Sequence, residues 1–172
     1  MRVCVLRLGH RRVRDQRISS HCALVARAFG ANGMIYSGDK DENLEKSIRK
    51  VVDNWGGPFM INYEKNWKKV IKNWNGLKVH LTFYGLPIQD KINEIRKIKE
   101  NLLVIVGSEK VPTEVYQLVN WNVAVTNQPH SEVASLCYFL DYYFERKELN
   151  KTFKKAKLKI IPNEKGKKVI KL

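Results

Sequence analysis

The sequence predicts an α/β protein: a mostly parallel sheet with helices on both faces. Two observations carry the prediction. Segments rich in β-branched residues alternate strictly with segments of helical period, and most of the former are nearly continuous apolar runs, as strands buried on both faces must be. The chain of 172 residues is long enough for one domain with a substantial core, and its 44% hydrophobic content argues against global disorder.

Taken in order, the expected strands are Val3 to Leu8, Gly33 to Tyr36, Pro58 to Tyr63, Leu77 to Phe83, Leu102 to Val106 and Trp121 to Val125. Between them the period predicts helices over His21 to Phe29, Asn43 to Trp55, Lys65 to Trp74, Gln89 to Glu100, Thr113 to Val119 and Ser131 to Glu148. Asp41 and Asp90 suit first helical turns, and Pro112 with Thr113 stands where a helix begins. The last helix carries Leu136, Phe139, Leu140, Tyr143 and Phe144 on one stripe, which reads as core or subunit interface. After it, Leu158 to Pro162 and Lys167 to Leu172 flank Asn163-Glu164-Lys165-Gly166, the pattern of a basic β-hairpin. Residues 1–150 are therefore expected to form the main domain and residues 151–172 an extension of it.

The formal net charge of +15 is uneven. Residues 1–20 carry +5 and residues 151–172 carry +8, leaving +2 for the body. Two polycationic ends suggest a polyanionic partner, because each phosphate neutralised by Lys or Arg releases condensed counterions. A solvated lysine-rich surface is the competing explanation. No stretch of about 18 apolar residues is present, so the chain is expected to be soluble and unexported, in the cytoplasm. Cys4, Cys22 and Cys137 lack the spacing of a zinc knuckle or a redox pair, and read as reduced, mostly buried thiols.

In an open α/β sheet ligands bind beyond the carboxyl ends of the strands, so the loops there matter most. Gly9 to His21 is dense in arginine; Gly85-Leu86-Pro87, Gly107 to Pro112 and Thr126 to Glu132 follow three later strands. Neither GxxxxGK[ST] nor GxGxxG occurs, which disfavours an NTPase or a dinucleotide-dependent dehydrogenase. His10, His21, His80 and His130 lack the HExxH or paired-cysteine spacing of a metal site. The three later loops, with backbone amides and polar side chains beside apolar strand ends, suit an amphiphilic adenosine ligand.

Three stretches carry a resemblance. They are Leu6-Arg7-Leu8-Gly9-His10-Arg11 continuing through Arg14-Asp15-Gln16-Arg17-Ile18-Ser19-Ser20-His21 to Ala26-Arg27-Ala28-Phe29-Gly30-Ala31; then Gly107-Ser108-Glu109-Lys110-Val111-Pro112; then Asn127-Gln128-Pro129-His130-Ser131-Glu132-Val133-Ala134. In this order they resemble the archaeal SPOUT family of tRNA (cytidine-2′-O-)methyltransferases acting on cytidine 56 of the T-loop. The resemblance implies a deep trefoil knot, a homodimer, S-adenosyl-L-methionine as methyl donor and tRNA as substrate. By position it assigns the donor to Leu81, to Gly107, Ser108, Glu109, Lys110 and Val111, and to Val125, Thr126, Asn127, Gln128, Pro129, His130, Ser131 and Glu132. Arg11, Arg12 and Arg14, with Lys154, Lys155 and Lys157 before the hairpin, are its expected phosphate contacts. A dimer-stabilising role for the hairpin's apolar face is the alternative.

Methyl transfer to a ribose hydroxyl needs the oxygen aligned and its proton removed. SPOUT 2′-O enzymes typically place an arginine from the first motif at that hydroxyl, which points to Arg17. A guanidinium stays protonated, so its secure role is to bind phosphate or orient the hydroxyl; His21 is the chemically easier base. The chain departs from the commoner pattern, in which an arginine precedes Phe-Gly by five residues; Leu24 stands there. Asp15 is expected either to orient Arg17 or His21 or to cap a helix, and Glu109 and Glu132 either to address the donor or to occupy helix N-termini. A non-catalytic RNA-binding protein of the same fold, or a SPOUT enzyme acting on another nucleotide or base, is the alternative reading.

Overall fold

The computed structural model describes residues 1–108 and 110–172, so the expectation for Glu109 lies outside the described residues. Six strands form one parallel sheet: β1 (Val3–His10), β2 (Gly33–Gly38), β3 (Met60–Tyr63), β4 (Leu77–Pro87), β5 (Leu102–Val106) and β6 (Trp121–Ala124). Their spatial order is β3-β2-β1-β5-β4-β6. The helices are α1 (Gln16–Ala28), α2 (Glu42–Trp55), α3 (Trp67–Asn73), α4 (Ile88–Lys97), α5 (Thr113–Leu118) and α6 (Glu132–Phe144).

Both faces of the sheet are covered, and the pleat sorts the side chains. Val3 and Val5 of β1 join Leu102, Val104 and Val106 of β5 in a core that also takes Cys22, Ala23 and Ala26 of α1, Ile48 of α2, Ile92 of α4 and Phe139 of α6. The intervening Cys4, Leu6, Leu8, Leu103 and Ile105 face the other way, against Ile71 of α3 and Val115 of α5. That two-sided burial is why β5 is entirely apolar.

α2 begins where Asp41 Oδ1 accepts from the amides of Asn43 (3.0 Å) and Leu44 (3.1 Å). At its other end the nearly buried Arg27 of α1 donates to the carbonyls of Trp55 (2.6 Å) and Gly56 (2.7 Å), satisfying helix-end acceptors. The Phe153 ring covers that guanidinium at 4.1 Å.

Three boundaries differ from expectation in ways that matter for the site. α1 starts at Gln16, five residues before the predicted His21, so Arg17 lies in the helix rather than a loop. β4 continues to Pro87 because its ladder is interrupted and resumed: both Leu81 and Leu86 pair with Val123, and Thr82 to Gly85 bulge out between them. α6 stops at Phe144, where Glu145 and Arg146 take left-handed conformations ahead of a short 3-10 helix, Lys147–Asn150. That reversal returns the chain to the end of α1, and Lys151 Nζ donates to the Gly30 carbonyl at 3.1 Å.

Residues beyond that point form an antiparallel pair, β7 (Leu158–Ile161) and β8 (Lys168–Lys171). The pair is tied to the body by backbone bonds between Gly57 and Lys154 (2.9 and 3.0 Å) and from Lys157 to the Asn54 carbonyl (2.9 Å).

Candidate active site

The carboxyl ends of β4 and β5 and the start of α6 enclose a cleft of about 370 Å³. Its lining includes Leu81, Gly107, Ser108, Lys110, Val111, His130 and Glu132, all singled out from the sequence as donor contacts. Val125, Thr126, Asn127, Gln128, Pro129 and Ser131 do not line it. Two of these have other structural duties. Asn127 Nδ2 donates to the carbonyls of Phe83 (2.8 Å) and Gly85 (3.0 Å), holding the β4 bulge, and Ser131 Oγ accepts from Ala134 N (3.3 Å) as the cap of α6.

Two walls of the cleft are tied together by a residue quoted in the first motif but given no role there. Arg7, in the middle of β1, is 1% exposed. Its Nη1 donates to the carbonyls of Leu8 (2.8 Å) and Gly107, and its Nη2 pairs with Glu132 Oε1 at 3.0 Å. One guanidinium thereby joins β1, the turn after β5 and the first turn of α6. The legible signal was an arginine between Leu6 and Leu8 on a strand whose neighbours are all apolar. Gly9, at φ +63°, keeps the adjoining backbone close to this turn: a Cβ there would stand 2.5 Å from Ser108 Oγ.

Polar groups are left for a ligand. Both ring nitrogens of His130 are buried with no hydrogen-bond partner among the described residues, and the ring meets Phe83 edge-on at 6.2 Å. His80 directs Nδ1 to Asn122 Oδ1 at 2.9 Å while its buried Nε2 has no partner among the described residues. Burial pushes the His80 pKa down, only partly opposed by the Asn122 bond, which favours the neutral ring. Unpartnered buried nitrogens beside apolar Leu81, Phe83 and Val111 match a ligand with a heteroaromatic face and polar edges.

The arginine-rich segment is more ordered than its composition implied. His10 is the last residue of β1 and is buried between Ser19 Oγ (2.8 Å) and Asp41 Oδ2 (3.3 Å). Asp15 stands at the N-cap of α1, but its side chain makes no capping hydrogen bond, contrary to one of its two expected roles. Instead it binds the Arg11 guanidinium through two bonds, 2.7 and 3.0 Å, because a planar fork four residues away is the better partner for a carboxylate. The Arg11 side chain holds the Asp15 carboxyl below its ordinary range. Arg11 is thus partly neutralised before any phosphate arrives.

Arg17 and His21 lie one turn apart on the exposed side of α1, and neither lines the cleft of its own chain. Ile18 and Leu24 of α1 and Tyr138 of α6 are partly or half exposed, although α1 and α6 pack together. The side chains of Lys154, Lys155 and Lys157 reach solvent on the segment that leads into β7.

The sheet in this strand order, with a cleft at the ends of β4 and β5, has the fold of solved SpoU-type methyltransferases. The SpoU methyltransferase AviRb from Streptomyces viridochromogenes, solved in complex with the cofactor AdoMet, superposes with a TM-score of 0.59 at 16% identity, over 84% of this chain and 58% of that one. The TrmH/SpoU tRNA modifying enzyme of A. aeolicus gives 0.57 at 15%, over 84% and 76%. At the level of sequence, residues 55–170 match the family model described as tRNA ribose 2′-O-methyltransferase, aTrm56, and the chain belongs to that family. Among its relatives, the tRNA (cytidine(56)-2′-O)-methyltransferase of Methanopyrus kandleri is 55% identical over 99% of this chain and 97% of its own length. The enzyme of the same name from Pyrococcus horikoshii is 53% identical over 98% and 84%.

Proposed function

We propose that this protein methylates the ribose 2′-hydroxyl of cytidine 56 in the tRNA T-loop, using S-adenosyl-L-methionine, in the cytoplasm. The observation that carries the reading is the cleft at the ends of β4 and β5, whose unpartnered His130 nitrogens and apolar walls suit an adenosyl group, in a chain of this family. Leu81, Gly107, Ser108, Lys110, Val111, His130 and Glu132 would hold the donor. When bound, the donor supplies an electrophilic methyl group on a sulfonium centre.

The protein's own residues then have to bring a hydroxyl to that centre and accept its proton. Arg17 orients the hydroxyl or its neighbouring phosphate through a fork of donors, and His21, one turn on, is the candidate acceptor of the proton. Since neither lines its own cleft, the reading requires a homodimer in which α1 of one subunit faces the cleft of the other. The exposed Ile18, Leu24 and Tyr138 support burial of the α1–α6 surface in such a dimer. Arg12, Arg14, Lys154, Lys155 and Lys157 provide phosphate contacts, and Arg11 contributes what charge Asp15 leaves it.

A deep trefoil knot belongs to the same proposal. Its support is the path after β6, which leaves the sheet edge, is held at Asn127 to the β4 bulge, and reaches Arg7 of β1 at Glu132. Residues 151–172 are treated as a basic hairpin extension of the same domain, given their backbone bonds to α2 and Gly57.

The test is methyl transfer from labelled donor to an unmodified tRNA transcript, followed by digestion and mapping. A single 2′-O-methylcytidine at position 56 is expected. Label on a base or another nucleotide, or tRNA binding without transfer, would overturn the proposal.

A further inference from the structure

We propose that Tyr84 is a stacking platform for an unpaired nucleobase of the RNA, at or beside the ribose that meets the cleft. The inference rests on the tRNA reading above and adds a substrate-binding residue that the sequence reading did not assign. Tyr84 is 75% exposed, yet it sits on the wall of the cleft, where a bound RNA must pass.

A single exposed aromatic residue is ordinary on a protein surface. Tyr84 is set apart by how it is built. It occupies the bulge that interrupts β4 between Leu81 and Leu86, so the ladder is broken specifically where the ring is displayed. Bulges re-aim side chains at sheet edges and beside active sites. Asn127, from the loop before α6, holds the carbonyls on either side of Tyr84. Gly85 then lets the chain pass close under β6: a Cβ there would be 2.5 Å from the Val123 amide nitrogen. The Phe83 ring backs the Tyr84 ring at 4.5 Å between centroids. The backbone that carries the ring is therefore fixed before RNA arrives, which lowers the ordering needed on binding.

The partner that fits is a base face. Every nucleobase offers a π-surface of about the size of this ring, and stacking on an exposed aromatic is tolerant of base identity. A ribose in a folded T-loop becomes accessible only if its base is drawn away from its neighbours, and a base so exposed needs a replacement stacking partner.

The experiment compares Tyr84→Ala, Tyr84→Leu, Tyr84→Phe and Tyr84→Trp by equilibrium tRNA binding, with donor affinity and thermal midpoint measured on each variant. Loss of the π-face in the Ala and Leu variants should weaken tRNA binding on the order of tenfold or more. Phe and Trp, which keep a face, should stay within about threefold of the unsubstituted protein. In the Ala and Leu variants donor affinity and thermal midpoint should change less than tRNA affinity does. Leu discriminates stacking from packing, since it preserves apolar bulk. If Leu binds tRNA as well as Tyr does, or if Ala leaves tRNA binding unchanged, the proposal is wrong. If the unsubstituted protein binds tRNA without transferring methyl, the catalytic reading fails while the binding series still decides the role of Tyr84. If it binds no tRNA, both fail.

Discussion

Arg7 and Glu132 form an ion pair of 3.0 Å that spans 125 positions of sequence and joins the strand at the centre of the sheet to the first turn of α6. Because Arg7 also donates to the Gly107 carbonyl, the pair fixes the distance between two walls of the cleft. Removing one partner of a buried pair leaves a charge without compensation, which costs about 3–5 kcal/mol. Glu132→Ala is expected to destabilise toward the lower end of that range, since the Glu132 side chain is 30% exposed and Arg7 keeps its two carbonyl partners. Arg7→Met is expected to loosen the Gly107 turn and weaken donor binding as well. Denaturant unfolding of both single variants and the double variant checks this. A coupling free energy near zero would mean that the pair does not hold the cleft.

His130 makes the opposite trade. Two buried ring nitrogens without partners cost stability in the free protein, by about 1–3 kcal/mol for an unsatisfied group. His130→Phe, close in shape, is therefore expected to raise the thermal midpoint or leave it unchanged while lowering donor affinity. Calorimetry of unfolding and of donor binding on the same samples decides it. A variant that loses stability and keeps donor affinity would show that the histidine serves packing alone.

How legible these features were depends on whether one local pattern or several distant segments produced them. β5 was readable to the residue because burial on both faces leaves only apolar side chains at Leu102 to Val106. The start of α1 was not, because Gln16-Arg17-Ile18-Ser19-Ser20 has the polar composition of a loop; Ser19 is nevertheless buried, its hydroxyl satisfied by His10. The β4 bulge was invisible for a different reason. It exists through pairing of both Leu81 and Leu86 with Val123 and through Asn127, none of which local periodicity records. Gly107, Ser108, Lys110, Val111, His130 and Glu132, which line the cleft, stand in the stretches that motif position singled out, whereas the contacts of Arg7 emerge only when three segments meet.

The carboxylates set an acid limit on stability. Asp15 is held below its ordinary value, chiefly by its bond with Arg11, which remains charged throughout. For Asp41 burial alone would raise the pKa, but the Leu44 amide, His10 and the Asn43 amide together bring it down. A group whose folded pKa lies below its unfolded value stabilises the fold above the unfolded value, and that contribution disappears as pH falls through the folded one. Unfolding free energy should thus decline as pH drops below about 4. Asp15→Asn should be less stable at pH 6 and show a shallower acid decline. An unchanged slope between pH 2 and pH 5 would remove Asp15 from the account.

Lys154, Lys155 and Lys157 test whether the cationic segment beside the hairpin meets the tRNA backbone or only water. Each lysine that neutralises a phosphate adds about 0.7–0.9 to the slope of log affinity against log salt. Replacing all three with Gln is expected to lower that slope by about 2, weaken tRNA binding and leave donor binding unchanged. Binding isotherms at several salt concentrations provide the measurement. An unaltered slope with unaltered oligomeric state would make these lysines a solvated surface. If dimerisation is lost instead, the segment's role is structural.

Arg17 carries the sharpest expectation, because it is exposed on α1 and its side chain makes no hydrogen bond or ion pair among the described residues. Nothing in the fold relies on its guanidinium, so Arg17→Ala should change stability by no more than about 0.5 kcal/mol. Donor affinity should also persist, since the cleft of the same chain does not include it. The rate of methyl transfer, in contrast, should drop by a factor of about 100 or more if the side chain aligns the reacting hydroxyl. Mixing Arg17→Ala with a cleft variant such as Glu132→Ala separates the two-subunit arrangement from a self-contained site. Exchange of subunits would bring an intact α1 against an intact cleft in one half of a mixed dimer, and activity should return above that of either parent. Failure to regain activity, with mixed dimers demonstrated by mass, would place Arg17 at the cleft of its own chain and overturn the arrangement in trans.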